Sequence, residues 1–389
     1  MRPELIIAEK EFRDHITSKR FIVVFGIMIL IAVYGINVGM DSYYQRLDSY
    51  KTAQPDPFNN NRYIIQNLQD AIQNATEMGK PVEYIAGLQS QLDLLTNPPM
   101  PTVREAFQGM IFILTLMGMV LGATMGFDQI AREKDEGSIK FLASSPIYRD
   151  TIINGKTIGA ILTLAIAMAA AFAVALAIVM IKGAVPGVED MARISLFFVA
   201  ALLYCTVFFA IAMMLSAIAK NTATAAIFTV GLLVLLALYS ILSFGIAYSI
   251  ADMMMGPVPE EGTYEYAMRA EMQNGTYAQP DYTEFAAYQT KRQTVVRQVS
   301  DVITAFSPIN GFGGTLGIGN TGIGVTLLSN PSTTQYITGP NFFTSASIPQ
   351  EMSLTEALGS IWTKALTIIV EIVAAFGIAY VAFMRADVR

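Results

Sequence analysis

The chain has 389 residues, 53% of them hydrophobic and only 14% charged, with a mean hydropathy of +0.46 and a formal net charge of −6. Globular domains carry about 25% charged residues, so this composition argues against a soluble protein. A single cysteine (Cys205) and a single histidine (His15) also exclude a disulfide framework, histidine- or cysteine-rich metal centres and an ordinary serine–histidine–aspartate triad.

Residues 1–20 read as an amphipathic helix. Leu5, Ile6, Ala8, Phe12 and Ile16 stand among charged residues, as in a helix lying along the cytoplasmic leaflet. The apolar run 21–39 follows directly. It is longer than a secretory h-region of about 7–15 residues and lacks a clear cleavage pattern, so it reads as a retained transmembrane helix 1. Residues 40–105 form an extracellular loop. Apolar residues at helical spacing (Ile64, Leu68, Ile72, then Ile85, Leu88, Leu92, Leu95) predict two helices, broken at Gly79-Lys80-Pro81. Transmembrane helix 2 covers 106–127. Gly118, Gly122 and Gly126 recur every four residues in it, which places three small residues on one face for close helix packing or for a subunit seam.

Residues 128–156 carry ten charges between two charge-free runs. Glu136-Gly137-Ser138 breaks the helix that leaves the membrane, since glycine suits a helix end and serine a helix start. Ser145-Pro146 restarts the chain. Between these breaks, Ile139, Phe141 and Leu142 make an apolar edge among charges, the composition of a docking surface rather than of a plain solvated connector. Transmembrane helices 3, 4 and 5 follow at 157–181, 194–219 and 222–250. The large extracellular segment 251–360 contains helical spacing over 281–306 and a glycine-rich stretch after Ser307-Pro308. Transmembrane helix 6 covers 361–384, and 385–389 is a short tail. Glu371 is the one charge deep inside a run, where a charge costs roughly 2.5–3.5 kcal/mol on insertion scales. It is expected to face protein or water, either in a pathway or against a neighbouring hydroxyl.

About 18 apolar residues suffice to cross the hydrocarbon core, and lipid leaves backbone groups no alternative to a helix. The expected fold is therefore an all-α integral membrane protein with six transmembrane helices and a mostly helical extracellular domain built from two long loops. Of the 25 lysines and arginines, thirteen fall in 1–20, 128–156, the turn at Lys220 and 385–389. By the positive-inside rule both termini are cytoplasmic. Asn74-Ala75-Thr76 and Asn274-Gly275-Thr276 are glycosylation sequons on the outer side.

Two short motifs fail. Gly317-Ile318-Gly319-Asn320-Thr321-Gly322 matches a dinucleotide fingerprint, but it sits in a predicted outside loop without the required strand and helix; a re-entrant segment is the better reading. Gly155-Lys156-Thr157 resembles the end of a P-loop, but Asp150 stands where the first glycine belongs. The chain has no P-loop and is not expected to be an enzyme.

The run Arg132-Glu133-Lys134-Asp135-Glu136-Gly137-Ser138-Ile139-Lys140-Phe141-Leu142-Ala143-Ser144-Ser145-Pro146, followed by Gly155-Lys156, resembles the segment between spans two and three of the ABC-2 type permeases, the membrane subunits of ATP-binding-cassette exporters. The closest resemblance is to the branch of gliding-motility and nitrous-oxide-reductase-maturation permeases. Ser138 replaces the commoner threonine. The six spans, amphipathic leader and inside termini fit as well. The resemblance implies a plasma-membrane permease without a cofactor of its own. ATP and Mg would be bound by a separate nucleotide-binding ATPase subunit docked on a coupling helix, with Arg132, Glu133, Glu136, Gly137, Ser138, Ile139, Phe141, Leu142 and Pro146 carrying the coupling contacts. It also implies a second permease copy, identical or related, and contact with membrane lipid. An extracellular partner for the outer segments stays open, and no nucleic acid is expected. The rival classes are a secondary transporter, which would need more intramembrane ionisable groups than Glu371, an intramembrane enzyme, and a membrane-anchored sensor or partner-binding protein.

Overall fold

The computed structural model describes residues 3–52, 61–79, 82–96, 100–137, 148–258, 283–314, 322–328, 332–339, 342–349 and 352–385. Six helices within it are long and apolar enough to cross a membrane. These are α2 (Lys19–Thr52), α5 (Gln108–Gly126, entered through a 3₁₀ turn at Val103–Phe107), α7 (Arg149–Ile181), α8 (Val188–Ile218), α9 (Thr222–Met255) and α13 (Leu354–Arg385). The remaining helices are α1 (Pro3–Ile16), α3 (Asn61–Glu77), α4 (Val82–Thr96), the one-turn α6 (Ala131–Asp135), α10 (Thr283–Ile303), α11 (Pro308–Gly313) and α12 (Ile323–Leu328). The protein is a multi-pass membrane protein.

Helix α8 is the hub. Buried residues occur all round it, including Phe197, Tyr204, Phe208, Phe209 and Met213, as a helix does when it has neighbours on every side. It packs against α5 and α13 above all. The face it offers α5 meets the glycine stripe. A Cβ added to Gly122 would lie 2.1 Å from the Cys205 carbonyl oxygen, and one on Gly126 would lie 2.4 Å from that of Phe209. The two backbones touch, which only glycine permits. Tyr204 fixes the register by donating its hydroxyl hydrogen to the Thr115 carbonyl (2.5 Å). A second close approach joins α2 to the turn before α5, where a Cβ on Gly39 would lie 1.7 Å from the Ala106 carbonyl oxygen. Within this one chain α9 is the least buried of the six: 17% of its most apolar stretch is covered, against 67% for α8.

At the end away from the termini, α3 and α4 pair around Leu68, Ala71, Ala75 and Leu88, matching the two predicted helices. A β-hairpin joins them: β1 (Ser332–Gly339) and β2 (Phe342–Pro349) are antiparallel, with Ser332 opposite Pro349 and Gly339 opposite Phe342. Buried Arg193 holds the start of α8 by pairing with Glu189 (2.8 Å) and donating to the Met352 carbonyl ahead of α13. Helix α10 returns along α9, burying Val296 on Ala247 and Ala251, and Arg292 grips Asp252 through two bonds (2.6 and 3.0 Å).

The chain then turns back into the bundle. Ser307 caps α11, with Pro308 in its first turn. Phe312 is fully buried between Phe197 and Tyr204, with ring centroids 5.8 and 4.6 Å away. Tyr204 stands near the middle of α8, so α11 and α12 are two short helices that fold back into the bundle, α11 as far as the middle of α8 and α12 against Phe197. Asn310 ties the pair to α9 through Ser240 and Ser243. Of the glycine-rich motif 317–322, all but Gly322 lies outside the described residues.

Candidate functional site

The charged segment after α5 does not float. The helix loosens at Phe127 and Asp128, and one turn, α6, follows. The free amides of Ile130 and Ala131 both donate to Ser216 Oγ on α8 (3.0 and 2.9 Å), which satisfies donors that a helix start leaves unpaired. Lys134 reaches the other way. Its ammonium donates to the carbonyls of Ala217 (2.5 Å) and Ala219 (2.9 Å) at the C-terminus of α8, where a cation suits the helix dipole. Asp135 accepts the Thr222 amide (2.8 Å) at the N-terminus of α9, where an anion suits it.

A second set of contacts fastens the segment to α1 and α7. Lys156 Nζ lies 2.8 Å from Glu11 of α1 and 2.8 Å from Glu133 of α6. All three side chains are at most 16% exposed. One ammonium thus serves two carboxylates from different elements, far from bulk water, where such pairing is needed to hold a charge. Helix α1 reaches Lys156 because Gly155 and Gly159 give it a notch; Cβ atoms there would meet Ile7 at 2.6 Å and Glu11 at 2.8 Å. The Gly155-Lys156-Thr157 triplet is therefore a packing notch with an ion-pair centre. Leu5 and Ile6 remain exposed on the far side of α1.

His15 completes the contact. Gln129 Nε2, which also donates to the Met125 carbonyl (2.9 Å), lies 2.9 Å from His15 Nε2; since an amide nitrogen donates, the His15 nitrogen accepts, as in the neutral ring. Burial is the main cause that lowers the His15 pKa below 6.5, and Lys156 acts in the same direction against Glu11, Asp128 and Asp14. At the close of the bundle Arg149 donates to the Met384 carbonyl of α13 (3.2 Å). The charged segment thus meets α1, α7, both sides of the α8–α9 turn and, through Arg149, the end of α13.

The residues singled out in the sequence fall into three groups. Arg132 and Glu136 form an exposed pair at 2.8 Å, Glu133 belongs to the buried ion cluster, and Gly137 has φ +69°, a left-handed conformation that ends the helix and favours glycine. Ser138, Ile139, Phe141, Leu142 and Pro146 lie outside the described residues. Gly118, Gly122 and Gly126 face α8 of the same chain. Glu371 stands apart, on α13. Its near neighbour Phe376 packs on Phe209 (6.0 Å), and α13 runs parallel to α8, so Glu371 is about level with Tyr204. Its Oε2 is buried with no hydrogen-bond partner among the described residues. Composition and spacing did not single out Glu11, Gln129, Lys134, Asp135 or Ser216. The one available signal was Lys156, a lone charge at the mouth of an apolar run, which needs buried partners.

The family profile described as ABC-2 family transporter protein matches residues 5–388. No curated protein matches the sequence.

Proposed function

The chain belongs to the ABC-2 transporter family, and from that premise we propose that it is the permease subunit of an exporter driven by a separate nucleotide-binding ATPase, working beside a second permease. The segment 128–156 receives the ATPase on the cytoplasmic side, with both termini on that side. The observation that carries this reading is the double anchorage of the segment. A passive connector has no use for Lys134, Asp135 and Ser216 gripping the α8–α9 turn, or for Lys156 joining α1, α6 and α7. Such anchorage lets a push at one point reach four spans. ATP shifts the spans only through contacts that differ between states, and these contacts are where the difference enters. Glu371, about level with Tyr204 and with one oxygen that has no partner among the described residues, is the candidate polar contact along the pathway.

The test is co-expression with the P-loop ATPase encoded nearest to the gene. The wild-type permease is expected to retain the ATPase through purification, and Ile139→Asp with Leu142→Asp to lose it. Equal retention by both proteins refutes docking on this segment. A purified permease that transports without any ATPase refutes the ATP-driven reading altogether.

A further inference from the structure

The segment after α5 touches the α8–α9 turn through three kinds of contact at once. Adjacent side chains of opposite charge address opposite helix ends: Lys134 binds the last carbonyls of α8, and Asp135 binds the Thr222 amide of α9. Ser216 holds the start of α6 from the α8 side. Between them Ala131, Ala219 and Ala225 form a small buried cluster, so α6 packs on the turn through small side chains. The turn itself is only Ala219, Lys220 and Asn221. The two helices it joins differ sharply. Helix α8 is packed on all sides, while α9 is buried over 17% of its apolar stretch.

We infer that Lys134 and Asp135 are positioning residues that transmit displacement of the charged segment into the α8–α9 turn, so that α9 swings against a stationary α8. This rests on the permease reading above. A push on α6 pulls the α8 carbonyls and the α9 amide together. Helix α8 cannot follow without repacking the bundle core, which is close-packed and resists small shifts. Helix α9 follows at little expense in contacts with the rest of its own chain, hinged at Ala219–Asn221.

The experiment measures amide hydrogen exchange in the permease–ATPase complex, with and without ATP, magnesium and vanadate. In the wild type, exchange is expected to change with nucleotide both over 128–137 and over 219–225. In Lys134→Met and in Asp135→Asn the change over 219–225 is expected to be lost, while the change over 128–137 persists and the ATPase stays bound. Lys134→Arg is expected to restore the response, and Arg13→Gln, which breaks only an exposed pair with Glu9 on α1, to leave it intact. If the variants merely raise exchange in both states and keep the nucleotide-dependent difference, the contacts are structural only and the inference is overturned. If 128–137 responds in the wild type and 219–225 does not, the inference alone fails. If neither responds, the permease reading fails with it.

Discussion

Replacing Lys156 by methionine keeps most of the side-chain volume and removes the ammonium that separates Glu11 from Glu133. Each carboxylate oxygen lies 2.8 Å from Nζ, so the two are at most twice that distance apart. At an effective dielectric of about 20, two unit charges at that spacing repel by about 3 kcal/mol. Removing one partner of a buried pair typically costs about 3–5 kcal/mol, in agreement. Cys205 is buried and is the one cysteine in the chain, so a thiol-reactive dye added to protein in detergent reports unfolding directly. Lys156→Met is expected to lower the apparent Tm by several degrees. Adding Glu133→Gln or Glu11→Gln removes one of the facing charges and is expected to recover part of the loss. Should Lys156→Met unfold at the wild-type temperature, or should the second substitution deepen the loss, the ion cluster does not hold the segment as described.

Further outcomes follow from the same geometry. Gly122→Ala places a methyl 2.1 Å from a backbone oxygen, whereas Gly118→Ala meets the Tyr204 ring at 3.2 Å; the former is expected to lower Tm clearly more, in the overpacking range of about 1–3 kcal/mol. Because burial lowers the His15 pKa, the folded state binds fewer protons there than the unfolded chain, so stability rises with pH. His15 therefore contributes stability above pH 6.5 that is lost as pH falls from there through its depressed folded pKa. His15→Asn is expected to flatten that part of a Tm-against-pH curve, and an unchanged slope refutes the assignment. In intact cells a membrane-impermeant maleimide is expected to label Met78→Cys, at the exposed turn after α3, and to spare Glu136→Cys; the reverse pattern overturns the proposed orientation. Glu371→Gln is expected to leave Tm unchanged or raised, since Oε2 has no hydrogen-bond partner among the described residues to lose, while lowering transport-coupled ATPase activity in the complex; undiminished activity dismisses a pathway role.

The six spans were legible because the hydrophobic requirement of the bilayer is written along the chain, residue by residue. The glycine stripe was legible in part: a four-residue period shows that one face is small but not which helix lies on it, and here it is α8. Helix ends were less legible. Helix α2 continues to Thr52, since nothing between Gly39 and Thr52 breaks a helix and charge ends only the apolar run. The hairpin at 332–349 lies beyond the helical spacing of 281–306, in a stretch for which no element was predicted, although the β-branched Thr333, Thr334, Ile337 and Thr338 with Gly339 at the turn give a strand signal of their own. The ion cluster was the least legible part. Glu11, Glu133 and Lys156 are widely separated in the chain, and only folding α1 into the notch at Gly155 and Gly159 brings them together.

The enclosure of α8 has an evolutionary corollary. A rod touched on every side leaves drift almost no room: a change in Phe197, Tyr204 or Phe209 demands a matching change in whichever neighbour it meets. Helix α9, with fewer neighbours in its own chain, carries less of that obligation. Among descendants of a shared ancestor, substitutions in the fourth span should arrive in correlated pairs and those along the fifth singly. Adaptation to a new cargo or a new membrane would therefore be written on α9 first.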